Sequence, residues 1–220
     1  YFWGYKTAGI FQNTQEIDEW RAAGNGILQS NVQPGDVRFV DRNHDGQIND
    51  KDKVNLGNGT PDFTLGLNLG FVYKGFDFSI VANGAFGQQI VQSYRNHTRP
   101  TPNYTTAILD RWHGEGTSNR IPRVTDSNIN YQFSDLFIQN GDYLRLSTLT
   151  LGYDFAKLFK GKAVSQARLY FQVQNLFTIT GYDGMDPEIG FGSSNNSWVS
   201  GLDYGYYPRP RTVLVGVNLK

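Results

Sequence analysis

Oxygen-bearing residues recur at regular spacing in the stretch DRNHDGQINDKD, residues 41–52. Donors at the first, third, fifth, seventh and twelfth positions, around a central glycine, are the arrangement that wraps a hard cation. Side-chain oxygens of Asp41, Asn43 and Asp45, the main-chain carbonyl of Gln47 and the carboxylate of Asp52 are the expected ligands. Asn49 can add one through a water, and Gly46 permits the sharp turn. A shell of six or more flexible oxygens suits Ca2+ better than Mg2+, which demands a tight octahedron. Two features depart from an EF-hand. Position twelve is Asp52 rather than the longer, bidentate Glu, and the preceding DVRFV reads as extended, so no helix enters the loop. The competing reading is an Asx-rich turn that needs no metal. A structural Ca2+ is the expectation.

No other group of residues points to a reaction. His44, His97 and His113 are too dispersed for a zinc site. Asp110, Glu115, Asp126 and Glu188 fall in loops without the paired spacing of a glycosidase, and read as solvated charges. Ser/His/Asp arrangements, phosphate-binding glycine loops and basic nucleic-acid patches are absent from the sequence, so the chain reads as a non-enzyme. Twenty basic and 20 acidic residues cancel, which removes the electrostatic case for nucleic acid as a partner. Without cysteine there are no disulfides or thiolate metal sites. Aromatic residues, at 15%, gather partly in long loops: Tyr94, Tyr104, Trp112, Trp198, Tyr204, Tyr206 and Tyr207, with Arg95 and Arg99 among them. Such faces suit sugar rings or peptides entering a vestibule, or simply pack loop on loop.

The elements that position these loops are strands. In FTLGLNLGFVY, Phe63, Leu65, Leu67, Leu69, Phe71 and Tyr73 take every second position against Thr64, Gly66, Asn68, Gly70 and Val72. Successive side chains on a strand alternate faces, so one face is an unbroken apolar stripe. Lys74-Gly75 turns the chain, and Phe76, Phe78, Ile80 and Ala82 continue the stripe. The same contrast recurs in 142–155, 167–178 and 211–220. Asn140-Gly141 predicts a hairpin turn pairing 131–139 with the start of the 142–155 strand. Residues 14–23 carry the one helical pattern, weakly started, because Thr14 and Ile17 make no capping box.

Short and long connections alternate along these strands: Lys74-Gly75 and 156–166 are short, whereas 31–60, 87–141 and 179–210 are long. Transmembrane barrels have short turns at one rim, long loops at the other, and strands of about ten residues, apolar outward and polar inward. Tyr73, Phe76, Tyr153 and Phe155 then fall at the short-turn rim, where an aromatic girdle belongs. The fold expected is all-β: an antiparallel transmembrane β-barrel segment of five long strands. Residues 62–86 and 142–178 are its hairpins, 211–220 its closing strand, and 31–60, 87–141 and 179–210 its extracellular loops. Five strands do not close a barrel. The opening Tyr-Phe-Trp-Gly-Tyr lacks an initiator Met or signal pattern, so a fragment of something longer, or one half of a split protein, is expected. The rivals are a soluble calcium-stabilised β-sandwich that binds carbohydrate and, further off, a secreted glycoside hydrolase.

The sequence also resembles the C-terminal barrel region of SusC/RagA-type TonB-dependent outer-membrane transporters. GYKTAGIFQ at 4–12, PGDVRFVDRNHDGQINDKDKVNLGNGTPDFTLGLNLGFVYKGFDFSI at 34–80 and AILDRW at 107–112 carry the resemblance. YLRLSTLTLGYDF at 143–155, LYFQVQNLFTITGYDGMDPE at 169–188 and the last strand complete it. The resemblance implies a barrel of about 22 strands, a plug that has no counterpart in this sequence, and residence in the outer membrane of a Gram-negative bacterium. It further implies a SusD-like surface lipoprotein as partner, energy from TonB, and import of glycans or peptides.

Overall fold

A computed structural model describes residues 1–93, 106–125, 130–156, 165–189 and 200–220. The chain divides into two compact units, residues 1–58 with 91–139, and residues 59–90 with 140–220.

In the first unit β1 (Trp3–Gly4), β2 (Thr7–Ile10), α1 (Thr14–Ala22), β3 (Val37–Phe39) and β4 (Val54–Asn55) follow in order. β1 pairs antiparallel with β4, and β2 with β3. Two short pieces of segment 31–60, β3 and β4, are therefore paired, although its Pro, Gly and Asx content reads as loop. Strands of two to four residues are too short to show alternation, and a core of Tyr5, Val37, Phe39 and Ile48 packs among them. Helix α1 is better started than Thr14 suggested. Asn13 is the N-cap and accepts from Glu16 N at 2.9 Å, while the Glu16 carboxylate accepts from Gln12 N at 2.9 Å. The cap is thus Asn13, one residue before Thr14, and Glu16 reaches back past it to the Gln12 amide instead of closing a capping box.

The second unit is built on a sheet. Its strands are β5 (Phe63–Tyr73), β6 (Phe76–Phe86), β9 (Tyr143–Asp154), β10 (Ala167–Thr180), β11 (Leu202–Asp203) and β12 (Thr212–Leu219), while the short β7 (Gln89–Gln92) and β8 (Ile138–Asn140) fall at the boundaries of the two units. The five long ones stand in the order β12-β10-β9-β6-β5, each antiparallel to its neighbour. Chain order and spatial order agree, as the expected meander requires. Lys74 and Gly75 adopt φ of 47° and 92°, the paired positive values that a two-residue hairpin turn demands. The expected pairing of 131–139 with β9 does not form. β8 instead stands beside β7 in a separate sheet of order β11-β7-β8, and Gly141 N donates to Gln88 O. Local turn chemistry at Asn140-Gly141 yields to β6, which takes that edge of β9 over ten residue pairs. Among the described residues no helix is long and apolar enough to cross a membrane.

Register turns the stripes into rows. Leu69, Ile80, Leu149, Val173 and Val213 lie abreast, as do Phe71, Phe78, Leu151, Phe171 and Val215, then Tyr73, Phe76, Tyr153, Leu169 and Val217. Phe76 and Tyr153 bring their rings to 4.4 Å in the row nearest the short turn. β9 alone breaks parity in sequence, with Leu144 and Leu146 even and Leu149, Leu151 and Tyr153 odd. One extra residue opposite Val81 and Ala82 restores it, because the bulge returns both halves to one face.

Candidate functional site

The two faces of the long sheet have opposite chemistry. Phe71, Val215 and Leu219 are 62%, 70% and 70% exposed, whereas Arg145, on the other face of β9, is 3% exposed. Its guanidinium is fully engaged. Nη2 donates to Asp186 Oδ1 at 2.5 Å, Nη1 to Glu188 Oε2 at 2.9 Å and Nε to Thr178 Oγ1 at 3.0 Å. Glu188 also takes Arg209 Nη2 at 2.8 Å, and Asp186 takes the Glu188 and Arg209 amides. Two arginines and two carboxylates thus tie the segment after β10 to the wall of the sheet. Glu188 is no solvated loop charge. Arg145 and Asp186 were missed in the sequence because an arginine in an alternating strand reads as one more polar position. Lower on the same face Arg168 grips Asp77 with two hydrogen bonds, at 2.7 and 2.5 Å, and the Tyr170 ring lies 4.9 Å from the same guanidinium.

The first unit contains the acidic loop. Asp41 and Asp52 are buried, each 1% exposed, while Asn43 and Asp45 stand at the surface. Asp52 closes the loop on itself: Oδ1 accepts from Arg42 N at 2.9 Å and Oδ2 from Asn49 N at 2.8 Å. Asn43 Oδ1 accepts from Asp45 N, and Asp45 Oδ1 from Gln47 N, both at 3.0 Å. The Asn43 amide, donating to Asp45 Oδ2 at 2.9 Å, is the main cause holding the Asp45 carboxyl below its ordinary pKa. Lys53, bound to Asp50 at 2.8 Å, is held above its ordinary value chiefly by that bond. Gly46 has the positive φ, 78°, that the turn requires. Among the described residues no three His, Cys, Asp or Glu side chains converge as a metal cluster, so any cation here would draw on amide and main-chain oxygens as well.

The remaining candidates scatter. Trp112 Nε1 donates to Gln12 at 3.2 Å, and Glu115 accepts from Asn13 at 2.7 Å, so both serve the first unit's own packing. Tyr204 and Tyr207 are exposed. His44 is exposed, and His113 Nδ1 lies 2.9 Å from Arg111 O. Tyr94, Arg95, His97, Arg99, Tyr104, Asp126 and Trp198 lie outside the described residues, as does most of the 156–166 connection.

No family model matches the chain. Curated proteins do. TonB-dependent receptor P3 of Formosa agariphila is 33% identical over 230 residues, taking in all of this chain and 22% of that protein. TonB-dependent receptor SusC of Bacteroides thetaiotaomicron is 31% identical over 196 residues, 88% of this chain and 18% of SusC. The chain belongs with the SusC/RagA-type TonB-dependent receptors. Solved structures of the RagAB peptide importer in its open-open state and of the RagAB peptide transporter share its fold. Their TM-scores are 0.68 and 0.69, at 21% identity over 99% of this chain and 22% of theirs. The chain therefore spans about a fifth of the length of the receptors it matches. None of these named relatives is an enzyme.

Proposed function

We propose that this chain supplies five strands to the wall of an outer-membrane nutrient importer of the SusC/RagA type. The observation that carries the reading is the reversed polarity of the sheet, with its apolar rows open and Arg145 buried among carboxylates. A β-sandwich does the opposite: it buries its apolar rows under a second sheet and leaves its charges in water. In lipid the rows meet acyl chains, and the polar face lines the lumen. The short Lys74-Gly75 turn then marks the periplasmic rim, and the Arg145–Asp186–Glu188–Arg209 network the extracellular end of the lumen.

The mechanism is passage and gating rather than bond chemistry. A substrate of glycan or peptide chemistry enters from the outer rim under a SusD-like lipoprotein, and TonB drives release through a plug. The name of the RagAB peptide importer and the exposed rings of Tyr204 and Tyr207 both support an oligomeric, ring- or amide-bearing substrate.

The test is fractionation of a Gram-negative host producing the complete importer. The protein is expected to stay with the outer membrane through a carbonate wash and to leave it only in detergent. It is also expected to co-purify with a surface lipoprotein and to support TonB-dependent uptake of a labelled oligosaccharide or peptide. Release into the soluble fraction as a monomer would return the sandwich reading.

A further inference from the structure

We propose that residues 41–52 hold a structural Ca2+, bound by Asp41 Oδ1, the Asn43 and Asp45 side chains, the Gln47 carbonyl and the Asp52 carboxylate. The proposal does not rest on the import reading and is tested separately from it.

One atom decides it. Asp41 is 1% exposed, and its Oδ2 receives two amides, Gly26 N at 3.1 Å and Gly46 N at 2.8 Å. Its Oδ1 is buried and has no hydrogen-bond donor, the one carboxylate oxygen in that condition among the described residues. A buried anionic oxygen loses its hydration and is retained when something else compensates the charge. The Gly46 amide holds the other oxygen of the same carboxylate on the turn of the loop, so the orphan oxygen sits on a side chain the loop itself binds.

This observation is independent of the spacing. Ligand positions follow from residue types alone, and the orphan oxygen falls on position one, the first they name. The supply of ligands is entirely oxygen, from carboxylate, amide and main chain, which is the set a hard cation takes. Calcium accepts such a mixed shell with irregular angles, whereas magnesium asks for a strict octahedron and retains its waters.

The consequence is mechanical. Gly26 lies so close to the loop that a Cβ there would sit 2.5 Å from the Gln47 main chain. The segment leaving α1 is thus pressed on the loop through Gly26 and Asp41. A cation on Asp41 Oδ1 would fasten that segment, the 41–52 loop and the start of the Asp50–Asp52 turn in one step.

The experiment uses the complete detergent-purified protein and measures bound 45Ca2+ by equilibrium dialysis, with trypsin cleavage at Arg42, Lys51 and Lys53 as second readout. Half-saturation is expected in the range of about 10⁻⁴–10⁻³ M, that of extracellular calcium modules. At ten times that concentration calcium should slow cleavage about tenfold relative to chelator, because binding multiplies the closed population. Asp41→Asn removes the buried charge but is open to misfolding, so Asp45→Ala, at an exposed position, is the companion variant. Each variant should bind one calcium fewer than wild type and lose the protection. Equal calcium binding by wild type and Asp45→Ala overturns the proposal, as does equal cleavage with calcium and with chelator. Equal protection by magnesium overturns the choice of calcium.

Discussion

Arg168 on β10 reaches Asp77 on β6 across the whole width of β9, and Gly152 is what lets it pass. A Cβ on Gly152 would sit 2.6 Å from Arg168 Nε and press on Asp77 Oδ1 as well. Three strands are thereby joined by one bidentate ion pair lying flat on the polar face. An Arg–carboxylate fork of this kind fixes geometry as well as adding energy.

Gly152→Ala should therefore part Asp77 from Arg168 and destabilise the sheet by about 1–3 kcal/mol, the usual range for overpacking a fitted site. Gly66→Ala is the control, because a Cβ there meets nothing within 4 Å. Urea unfolding of both variants in detergent micelles measures the difference. Equal midpoints would show that Gly152 is not a required passage.

Arg145 offers a second measurement. Arg145→Met leaves Asp186 and Glu188 facing each other without their shared cation, and breaking a buried pair from one side costs about 3–5 kcal/mol. Arg209→Ala removes a half-exposed partner of Glu188 and should cost about 0–1 kcal/mol. Protease sensitivity of residues 181–211 should rise sharply in the first variant and little in the second. A reversed order would place the anchor of that segment at Arg209.

The assignment of faces is checked on β5. Leu67→Arg puts a charge among the apolar rows and should cost about 2–4 kcal/mol near the bilayer midplane, with loss of assembled barrel. Asn68→Arg, one residue along and on the opposite face, should assemble nearly as wild type. Heat-modifiable migration of the outer-membrane fraction distinguishes folded from unfolded barrel. Equal effects would contradict the alternation.

The first unit has a pH response of its own. Burial is the main cause holding the Tyr5 hydroxyl above its ordinary pKa of about 10, with Lys53 opposing it. A folded pKa raised above the unfolded one means the unfolded chain ionises first. The contribution is fully present below about pH 10 and is lost as pH climbs through the raised value. Tyr5→Phe should flatten this alkaline loss, read as hydrogen exchange of the 37–39 amides between neutral pH and pH 11. An unchanged slope would assign the loss to another group.

Strand existence, strand length and facing were legible in the sequence, because alternation at period two survives without any knowledge of partners. Phe63 to Tyr73 needed only its own neighbours to be read. The acidic loop was legible for the same reason, since its ligand spacing is local. The helix start was legible too, but at Asn13 and Glu16 rather than at Thr14. The short strands of the first unit were not, because β3 is three residues long and is held by Tyr5 and Ile48 from distant parts of the chain.

By itself, then, the sequence determined which residues alternate, where the chain turns and which oxygens could gather on a cation, all properties of neighbours along the backbone. Only the tertiary structure decided that β8 leaves β9 to β6, that a bulge rescues the parity of β9, and that Arg145 meets Asp186 and Glu188. It alone left Asp41 Oδ1 without a donor. Each of these depends on groups tens of residues apart arriving at one place, and such arrivals are set by register across the sheet and by packing rather than by local pattern.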